Sequence, residues 1–170
     1  VVPEWNDPDS PWSILSNYDD GICSQLSELI GPDGVFIHPS AIIGEFVSIE
    51  GPCYIGADVE IRHAAFLRKG SWICERAIVG HSTEIKNSVL LPGSKAPHFN
   101  YIGDSIVGFE ANLGAGTKLA NVRNDGSEIL INNRDGLRVK SGLLKLATII
   151  RDGQIPCKQP PILPVINSVK

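Results

Sequence analysis

Two cations, a carboxylate and a histidine are the residues of this sequence best suited to chemistry. Arg68 and Lys86 are separated by three times six positions, and Glu84 lies two residues before the lysine. Like charges held side by side repel each other unless an anion lies between them, so this pair favours a bound phosphate. His98 follows Pro97, and a neutral imidazole can take a proton from an attacking amine. The alternatives are a solvated basic stripe and a structural histidine.

A small turn and a second pair of histidines are further candidates. The turn Gly114-Ala115-Gly116 could aim a peptide N–H at a carbonyl oxygen, or be only a tight corner. His63 and His81 have the same separation as Arg68 and Lys86 and could share a zinc ion, but zinc needs at least a third ligand. The cysteines form no CxxC pair and no cluster of zinc-ligand spacing. We therefore predict surface or interface histidines and no metal site.

A six-residue period indicates which elements position these residues. Every sixth residue from position 37 is aliphatic, ten times in succession, at Ile37, Ile43, Ile49, Ile55, Ile61, Leu67, Ile73, Val79, Ile85 and Leu91. A helix needs apolar residues at steps of three and four, and a strand at steps of two. A step of six is typical of a parallel β-helix, in which each six residues make one short strand and a turn. Three such strands complete a coil, so residues that are three hexads apart stack on adjacent coils.

The fold predicted from this period is all-β, a left-handed parallel β-helix of hexapeptide repeats. The left hand is expected by similarity to known hexapeptide-repeat proteins and is an exception to the right-handed crossover rule. The count breaks after Leu91, and the next aliphatic residues in register are Ile102, Val107, Leu113 and Leu119. The break contains the segment KAPHFNYIGD, residues 95–104. We therefore expect extra residues at a corner there, either functional or a neutral insertion.

A non-repeating segment precedes the solenoid. Residues 1–34 are predicted to form a short N-terminal helical cap. Ser10 is a possible N-cap residue, and Pro11 stands at the first helical position. Such a cap is expected to cover the open first coil, because an uncovered end is an exposed sheet edge that can pair with other chains. The β-helix domain itself is predicted over residues 35–155.

A polar stretch and a proline-rich tail interrupt or follow the repeats. The stretch at about 121–140 predicts a projecting loop or hairpin, with turns at Asn124-Asp-Gly126 and Asn133-Arg-Asp-Gly136. The segment GLLKLATII that follows it is compatible with a helix or a strand. Residues 156–170 contain several prolines and no repeat, so they are predicted to form an irregular tail.

Composition and charge exclude several classes of protein. The chain is 42% hydrophobic and 20% charged, which predicts one folded domain rather than a disordered chain. A formal charge of -4 argues against a general nucleic-acid or anionic-membrane binder, since these need a net basic face. No long apolar run is present, and the acidic start VVPEWNDPDS does not match a signal peptide, so a cytoplasmic location is expected.

One segment carries motifs that are far more specific than the repeat. From His81 to Gly126 the sequence contains the string GSKAxHxxYxGD, then NxGAGT, and then AN. This segment resembles the C-terminal acetyltransferase domain of the bifunctional glucosamine-1-phosphate acetyltransferase / N-acetylglucosamine-1-phosphate uridyltransferase. It resembles the archaeal-type sugar-1-phosphate nucleotidyltransferase relatives of that enzyme more closely. The match runs from the repeats to the GLLKLATIIRDG segment.

The resemblance implies catalytic roles for three residues. By position, His98 resembles the general base that takes a proton from the sugar amine. Ala115 resembles the acetyl-CoA-binding residue whose backbone N–H meets the acetyl carbonyl. Asn121 matches a residue that approaches the site from a neighbouring subunit, and the resemblance implies a catalytic role for it together with His98.

The resemblance also implies a substrate site. Arg68 and Lys86 fall where the family binds the sugar phosphate, and Glu84, Tyr101 and Asn112 fall where it holds the sugar. These five residues therefore make up the predicted site for a small-molecule sugar phosphate.

The implied reaction is transfer of acetyl from acetyl-CoA, as co-substrate, to the amine of an amino-sugar 1-phosphate in UDP-sugar biosynthesis. A homotrimer with sites between subunits is implied, and no metal is required. Uridyl transfer is not expected, because no Gly-rich, Arg-containing loop precedes the repeats. The tail CKQPPILPVINSVK stands where the family has further coils that contact CoA, so an incomplete coenzyme site is expected. The alternative is a trimeric scaffold or sugar-phosphate-binding module with weak or no catalysis.

Overall fold

Very short strands follow two helical segments in the computed structural model, which describes residues 1–5, 7, 9–16, 21–132, 136–150 and 152. A 3-10 helix (Pro11–Leu15) comes first, and helix α1 (Ile22–Ile30) ends at Gly31. The strands are, in chain order, β1 (Val35–Ile37), β2 (Ile42–Ile43), β3 (Ser48–Ile49), β4 (Cys53–Ile55), β5 (Glu60–Ile61), β6 (Phe66–Leu67), β7 (Ser71–Ile73), β8 (Ile78–His81), β9 (Glu84–Lys86), β10 (Ser88–Leu90), β11 (Lys95–His98), β12 (Tyr101–Gly103), β13 (Ile106–Val107), β14 (Lys118–Leu119), β15 (Leu130–Asn132), β16 (Arg138–Lys140) and β17 (Ile149–Ile150).

Three parallel sheets form the sides of a solenoid. Face A contains β1, β4, β7, β10, β13 and β17, face B contains β2, β5, β8 and β11, and face C contains β3, β6, β9, β12 and β14. Each strand pairs in parallel with its equivalent in the next coil, as β4 does with β7 and β5 with β8. The predicted fold class, an all-β parallel β-helix of hexapeptide repeats with a short N-terminal helical segment, is confirmed.

The core is a set of columns of aliphatic side chains, one from each face of each coil. Ile55, Ile73 and Leu90 stack on face A, and Ile61 and Val79 stack on face B, all with no exposed surface. Burying one such side chain contributes about 1.5–3 kcal/mol. The side chains that alternate with them point outward, so the inward residue fixes the coil and leaves the outward residue free to vary.

The repeat shortens by one residue at two corners, Asn87 and Asp104, whereas extra residues were expected in the segment that ends at Asp104. Face A pairs Ser71 with Ser88, a step that is one residue shorter than three hexads, and the inward residue there is Leu90. Leu91 is half-buried and lies outside the inner column, so the predicted inward position at Leu91 is wrong. Residues 95–104 contain no insertion, because Ala96 pairs with Val79 at a step of 17, one residue shorter than three hexads. Two adjacent leucines hid the shortened corner from the sequence count.

The corners of the solenoid consist of residues in the left-handed backbone region. At the corner from face C to face A, which we call the C–A corner, Gly70 has φ 76°, Asn87 has φ 44° and Asp104 has φ 46°. Asparagine and aspartate tolerate this region better than most residues. One such residue replaces the pair Lys69-Gly70 in the later coils, which shortens each of those coils by one residue.

The N-terminal segment lies against face A and not over the first coil. Ile14 and Leu26 are buried in a cluster with Tyr54 and Trp72, whose side chains point outward from face A. The inward side chain Ile37 of the first coil is 41% exposed. The expectation that the helical cap covers the open coil is therefore wrong. The outer side of face A is apolar, and covering it removes more hydrophobic surface from water.

Residues between β14 and β17 leave the solenoid and return to it. Strands β15 and β16 pair as an antiparallel hairpin, and β17 rejoins face A by pairing Val107 with Ile150. The hairpin does not simply project, because Ile129 and Leu143 are buried in the same cluster as the N-terminal segment, and Trp12 Nε1 donates to Ser141 O at 3.2 Å. The predicted turn from Asn133 and the tail 156–170 lie outside the described residues, and the domain limits stay a prediction. Within the part of the chain that is described, no helix is long and apolar enough to cross a membrane.

Candidate functional site

Face C presents charged and polar side chains to solvent in two columns. Glu84 pairs with Tyr101 in one column, and Lys86 pairs with Gly103 in the other. Arg68 precedes Lys86 in the second column, since the Arg68 N–H donates to Ile85 O at 2.8 Å and the preceding residues pair in register. The predicted stacking of Arg68 and Lys86 on adjacent coils is confirmed. Four of the five predicted substrate contacts therefore share one face.

Glu84 neutralises one of the two cations. Arg68 Nη1 donates to Glu84 Oε1 at 3.0 Å, with the two side chains 37% and 35% exposed. The guanidinium also lies 5.9 Å from the centre of the Phe66 ring. Lys86 is half-buried and has no ion pair with any described residue. The two stacked cations therefore need only one external negative charge, because Glu84 supplies the other and Lys86 is the cation left for a ligand.

Tyr101 lies beside Asn121, at the edge of face C. Burial raises the pKa of the Tyr101 hydroxyl, and the negative charges of Glu84 and Asp104 raise it further, while a hydrogen bond from Asn121 lowers it. Gly103 lets the two side chains meet, because a Cβ at this position would lie 2.7 Å from Tyr101 Oη and 3.0 Å from Asn121 Nδ2. The polar end of Tyr101 is therefore held by its own chain.

A buried acid and two amides occupy the C–A corner, and sequence reasoning identified Asn121 as a site residue but missed Asn87 and Asp104. Asp104 is 4% exposed, and its Oδ1 accepts from Asn87 Nδ2 at 2.8 Å, while its Oδ2 accepts from Asn121 Nδ2. The Asn87 amide also donates to Leu15 O at 3.0 Å. The three polar residues follow one another at steps of 17, which is the signal that could have found them. The Asn121 side chain therefore contacts Asp104 of its own chain, and its approach to a neighbouring subunit stays a prediction.

His98 lies at the corner between faces B and C. It pairs with His81, and the ring centres are 6.2 Å apart. The side chain is exposed, and its imidazole has no hydrogen bond to any described residue. Its backbone is held by Asn100, which is buried: Asn100 Oδ1 accepts the His98 N–H at 3.1 Å, and Asn100 Nδ2 donates to Gly114 O at 2.7 Å. Asn100 thus fixes the backbone of His98 relative to Gly114, a role that the sequence did not reveal.

Ala115 follows His98 in the same corner, one coil later. The Gly116 N–H donates to His98 O at 3.1 Å, which places the turn directly beside the histidine. Ala115 is exposed, and its N–H has no hydrogen-bond partner among the residues that the structure describes. A free peptide N–H beside an imidazole is a geometry that could serve acyl transfer.

Two predicted features are not brought to face C. Asn112 forms a bridge with Lys95 on face B, so in a single chain it lies away from Glu84 and Tyr101. His63 and His81 occupy the corner column of His98, since the residues before them pair in register. Across the described ranges, no group of three or more His, Cys, Asp or Glu side chains could hold a metal ion.

Comparison with known proteins identifies relatives of the chain. A family model described as the GMPPB C-terminal domain matches residues 49–143. The chain is 37% identical over 156 residues to the bifunctional sugar-1-phosphate nucleotidylyltransferase/acetyltransferase of Sulfurisphaera tokodaii, which covers 86% of this chain and 38% of that protein. It is 36% identical over 156 residues to the bifunctional protein GlmU of Methanococcus maripaludis, covering 87% and 38% of the two chains. The chain thus spans 38% of the length of these curated relatives.

Proposed function

Since the chain belongs to the family of the GMPPB C-terminal domain, we propose that it is a hexapeptide-repeat acetyltransferase. Its substrates are acetyl-CoA and the amine of an amino-sugar 1-phosphate such as glucosamine 1-phosphate, in UDP-sugar biosynthesis. One relative is named a bifunctional sugar-1-phosphate nucleotidylyltransferase/acetyltransferase, and this name supports the choice. A cytoplasmic location and the absence of nucleic-acid and membrane partners stay predictions.

The observation that carries the proposal is the lysine on the solvent-facing polar side of face C. Lys86 has no acidic partner among the described side chains and lies next to Glu84 and Tyr101. A lysine ammonium binds a phosphate as a point charge, and a carboxylate and a phenol can bind sugar hydroxyls. Face C therefore supports binding of a molecule with one anionic and one hydroxyl-rich end.

The corner beside face C supports the chemical step. His98 takes a proton from the sugar amine as the amine nitrogen attacks the thioester carbonyl. The Ala115 N–H donates to the oxyanion that forms. The new C–N bond replaces the C–S bond, and the thiolate of CoA leaves and receives the proton. No covalent intermediate on the protein is needed, because the substrate amine is itself the nucleophile.

A homotrimer supplies what one chain does not. Asn112 lies on face B, and among the described residues His98 has no group in its own chain that orients the imidazole. A general base is usually oriented by a third group. We expect the face of a neighbouring subunit to complete the site, so assembly and activity should be lost together when the interface is disrupted.

The experiment that tests the proposal is release of free thiol from acetyl-CoA in the presence of glucosamine 1-phosphate. His98→Ala should lower the rate by about 10²–10⁴-fold, the usual contribution of a general base, with the oligomeric state unchanged. Glucose 1-phosphate, which lacks the amine, is the control and should give no thiol. Full activity in His98→Ala would contradict the role of the histidine.

A second candidate is a sugar-phosphate-binding module with weak or no catalysis. The free imidazole of His98 favours it, because none of the described side chains orients that ring. Titration calorimetry separates the two candidates. Binding of glucosamine 1-phosphate without measurable binding of acetyl-CoA supports the module, and binding of both supports the enzyme.

A further inference from the structure

The C–A corner carries a polar column that the proposed reaction does not use. Asn87, Asp104 and Asn121 occupy equivalent positions in three successive coils, at steps of 17. The Asp104 carboxylate is 4% exposed, and both of its oxygens accept amide hydrogens of its neighbours. Burying an acid costs free energy unless it is fully hydrogen-bonded. A solenoid corner can be built from glycine, as Gly70 shows in an earlier coil, so the acid calls for a reason beyond the turn.

The chemistry of Asp104 fixes the orientation of the Asn121 side chain. A carboxylate only accepts hydrogen bonds, so the group that Asn121 presents to Asp104 must be its NH₂ end. That nitrogen carries two hydrogens. One hydrogen donates to Asp104 Oδ2, and the other is available to the Tyr101 hydroxyl, which lies beside the same amide over Gly103.

The orientation of Asn121 decides what Tyr101 can do. When Asn121 donates, the Tyr101 oxygen is the acceptor, and the hydroxyl proton stays free to point toward face C. When the amide is reversed, Asn121 Oδ1 takes that proton, and Tyr101 has no donor left for a ligand. A phenol that must donate to a sugar oxygen therefore needs the first arrangement.

Backbone hydrogen bonds hold Asp104 and Asn121 side by side in adjacent coils. Asp104 O accepts the Ala147 N–H at 3.0 Å, and Asn121 O accepts the Leu146 N–H at 3.0 Å. Asn87, the second donor to Asp104, is itself held by Leu15 O. Both segments that pack on face A are thus tied to the polar edge of face C.

We propose that Asp104 is a positioning residue for the sugar contact of face C. Its buried carboxylate fixes the direction of the Asn121 amide, and this leaves the Tyr101 hydroxyl proton free to donate to a sugar oxygen. The inference rests on the proposed binding of a sugar phosphate at face C. It adds a specificity element that acts on the sugar end of the ligand and not on the phosphate.

The first test compares two ligands. Asp104→Asn keeps the size of the side chain but allows the Asn121 amide to reverse, and it should weaken binding of glucosamine 1-phosphate about tenfold, the effect of one hydrogen bond. Affinity for inorganic phosphate should not change, because Lys86 is untouched. Asn87→Ala is the matched control: it removes the other donor to the same carboxylate, so it should lower the melting temperature with both affinities unchanged. An equal loss of affinity for glucosamine 1-phosphate and for inorganic phosphate in Asp104→Asn overturns the proposal.

The second test asks whether Asp104 acts through Tyr101. In a double-mutant cycle, Asp104→Asn should have no further effect on sugar-phosphate affinity once Tyr101→Phe has removed the hydroxyl. Asp104→Ala, which also leaves the Asn121 amide free to reverse, should give the same tenfold loss and serves if Asp104→Asn does not fold. Additive losses in the cycle would show a purely structural role and overturn the proposal.

The third test needs no ligand. Side-chain amide exchange of Asn121, followed by NMR, should be slow in the wild type and in Asn87→Ala and fast in Asp104→Asn. Equal exchange in all three overturns the proposal whatever the ligands do. If wild-type protein binds no sugar phosphate, the proposed function fails, and the exchange rates alone decide whether Asp104 fixes Asn121.

Discussion

Faces A and C are built from the same repeat but serve opposite purposes. Both carry one inward aliphatic side chain in each coil, such as Ile73 on face A and Ile85 on face C, and both side chains are fully buried. Trp72 points outward from face A and is 3% exposed under the N-terminal segment. Lys86 points outward from face C and faces solvent. The inward residue therefore sets the fold, and the outward residue decides whether a face is used for packing or for chemistry.

The charges of face C explain why the packing segments that the structure describes lie on face A. Covering face C would remove the partly exposed Arg68–Glu84 pair and Lys86 from water, and buried charges cost several kcal/mol each. Covering face A instead buries aromatic and aliphatic side chains at about 25 cal/mol per Å². The same chain segments thus stabilise one face and leave the other open to a ligand.

Trp72→Ala provides the largest expected difference between the two faces. The indole is almost fully buried between the sheet and the N-terminal segment, so its removal should cost about 3–5 kcal/mol of unfolding free energy. Phe66→Ala, at an outward position of face C, is the matched control and should cost about 1 kcal/mol or less. Guanidinium unfolding monitored by circular dichroism measures both. Equal losses would mean that face A is not the packed face.

The inward residue of the shortened corner gives the next largest effect. Leu90→Ala should lower the unfolding free energy by about 2–5 kcal/mol, because its side chain is fully buried in the inner column. Leu91→Ala should cost about half as much, since that side chain is only half-buried at the edge of the outer cluster. Unfolding curves of the two variants compare neighbouring residues of identical type. A larger loss at Leu91 would restore the frame that simple counting predicts.

The period of six was enough to predict the fold, because one aliphatic residue in each hexad must point inward. It was not enough to place the shortened corners. Leu90 and Leu91 satisfy the pattern equally well, and only the pairing of Ser71 with Ser88 distinguishes them. The position of the N-terminal segment was also predicted wrongly. The count considers inward residues, whereas Tyr54 and Trp72, which attract that segment, point outward.

The candidate site was predictable where it depends on spacing and hidden where it depends on three-dimensional contacts. Arg68 and Lys86 stack as their separation of three hexads predicts. The ion pair of Arg68 with Glu84 was not foreseen, because the direction of a side chain does not follow from spacing. Asp104 belongs to the recognised motif, but the motif does not reveal its partners, which lie one coil away on either side.

Lys86→Met tests the open face directly. Loss of a charge-assisted contact to phosphate should reduce the binding free energy of glucosamine 1-phosphate by about 1.5–3 kcal/mol. Lys118→Met, at an exposed position of β14 on the same face, is the control and should change the affinity little. Calorimetry at two salt concentrations also checks the charge, since the difference between the variants should shrink as salt is added. Unchanged affinity in Lys86→Met would remove the main support for a phosphate at face C.

Alkaline pH tests burial on both sides of face A, because Cys53 lies in the inner cluster and Cys74 in the outer cluster. Burial raises the pKa of the Cys53 and Cys74 thiols to about 12, from 9.0 for an unperturbed thiol. Below pH 9 the thiols are protonated in both states and contribute no pH dependence. Between pH 9 and about 12 the unfolded state loses protons that the folded state keeps, so each thiol should lower stability by about 1.4 kcal/mol per pH unit. Replacing both cysteines by alanine should flatten this part of the stability profile, and an unchanged slope would show that other groups cause it.

Glu84→Gln should have the smallest effect on stability and the most informative effect on binding. The Arg68–Glu84 pair is about a third exposed on both sides, so its loss should cost less than about 1 kcal/mol of unfolding free energy. The same change frees Arg68, so affinity for inorganic phosphate should rise a few-fold, because two cations then act on one anion. Glucosamine 1-phosphate should gain less than phosphate does, since its sugar end loses the carboxylate. An equal gain in affinity for both ligands would mean that the sugar does not bind beside Glu84. No gain in affinity for either ligand would mean that Arg68 does not contact the anion and that Lys86 is its main cation on face C.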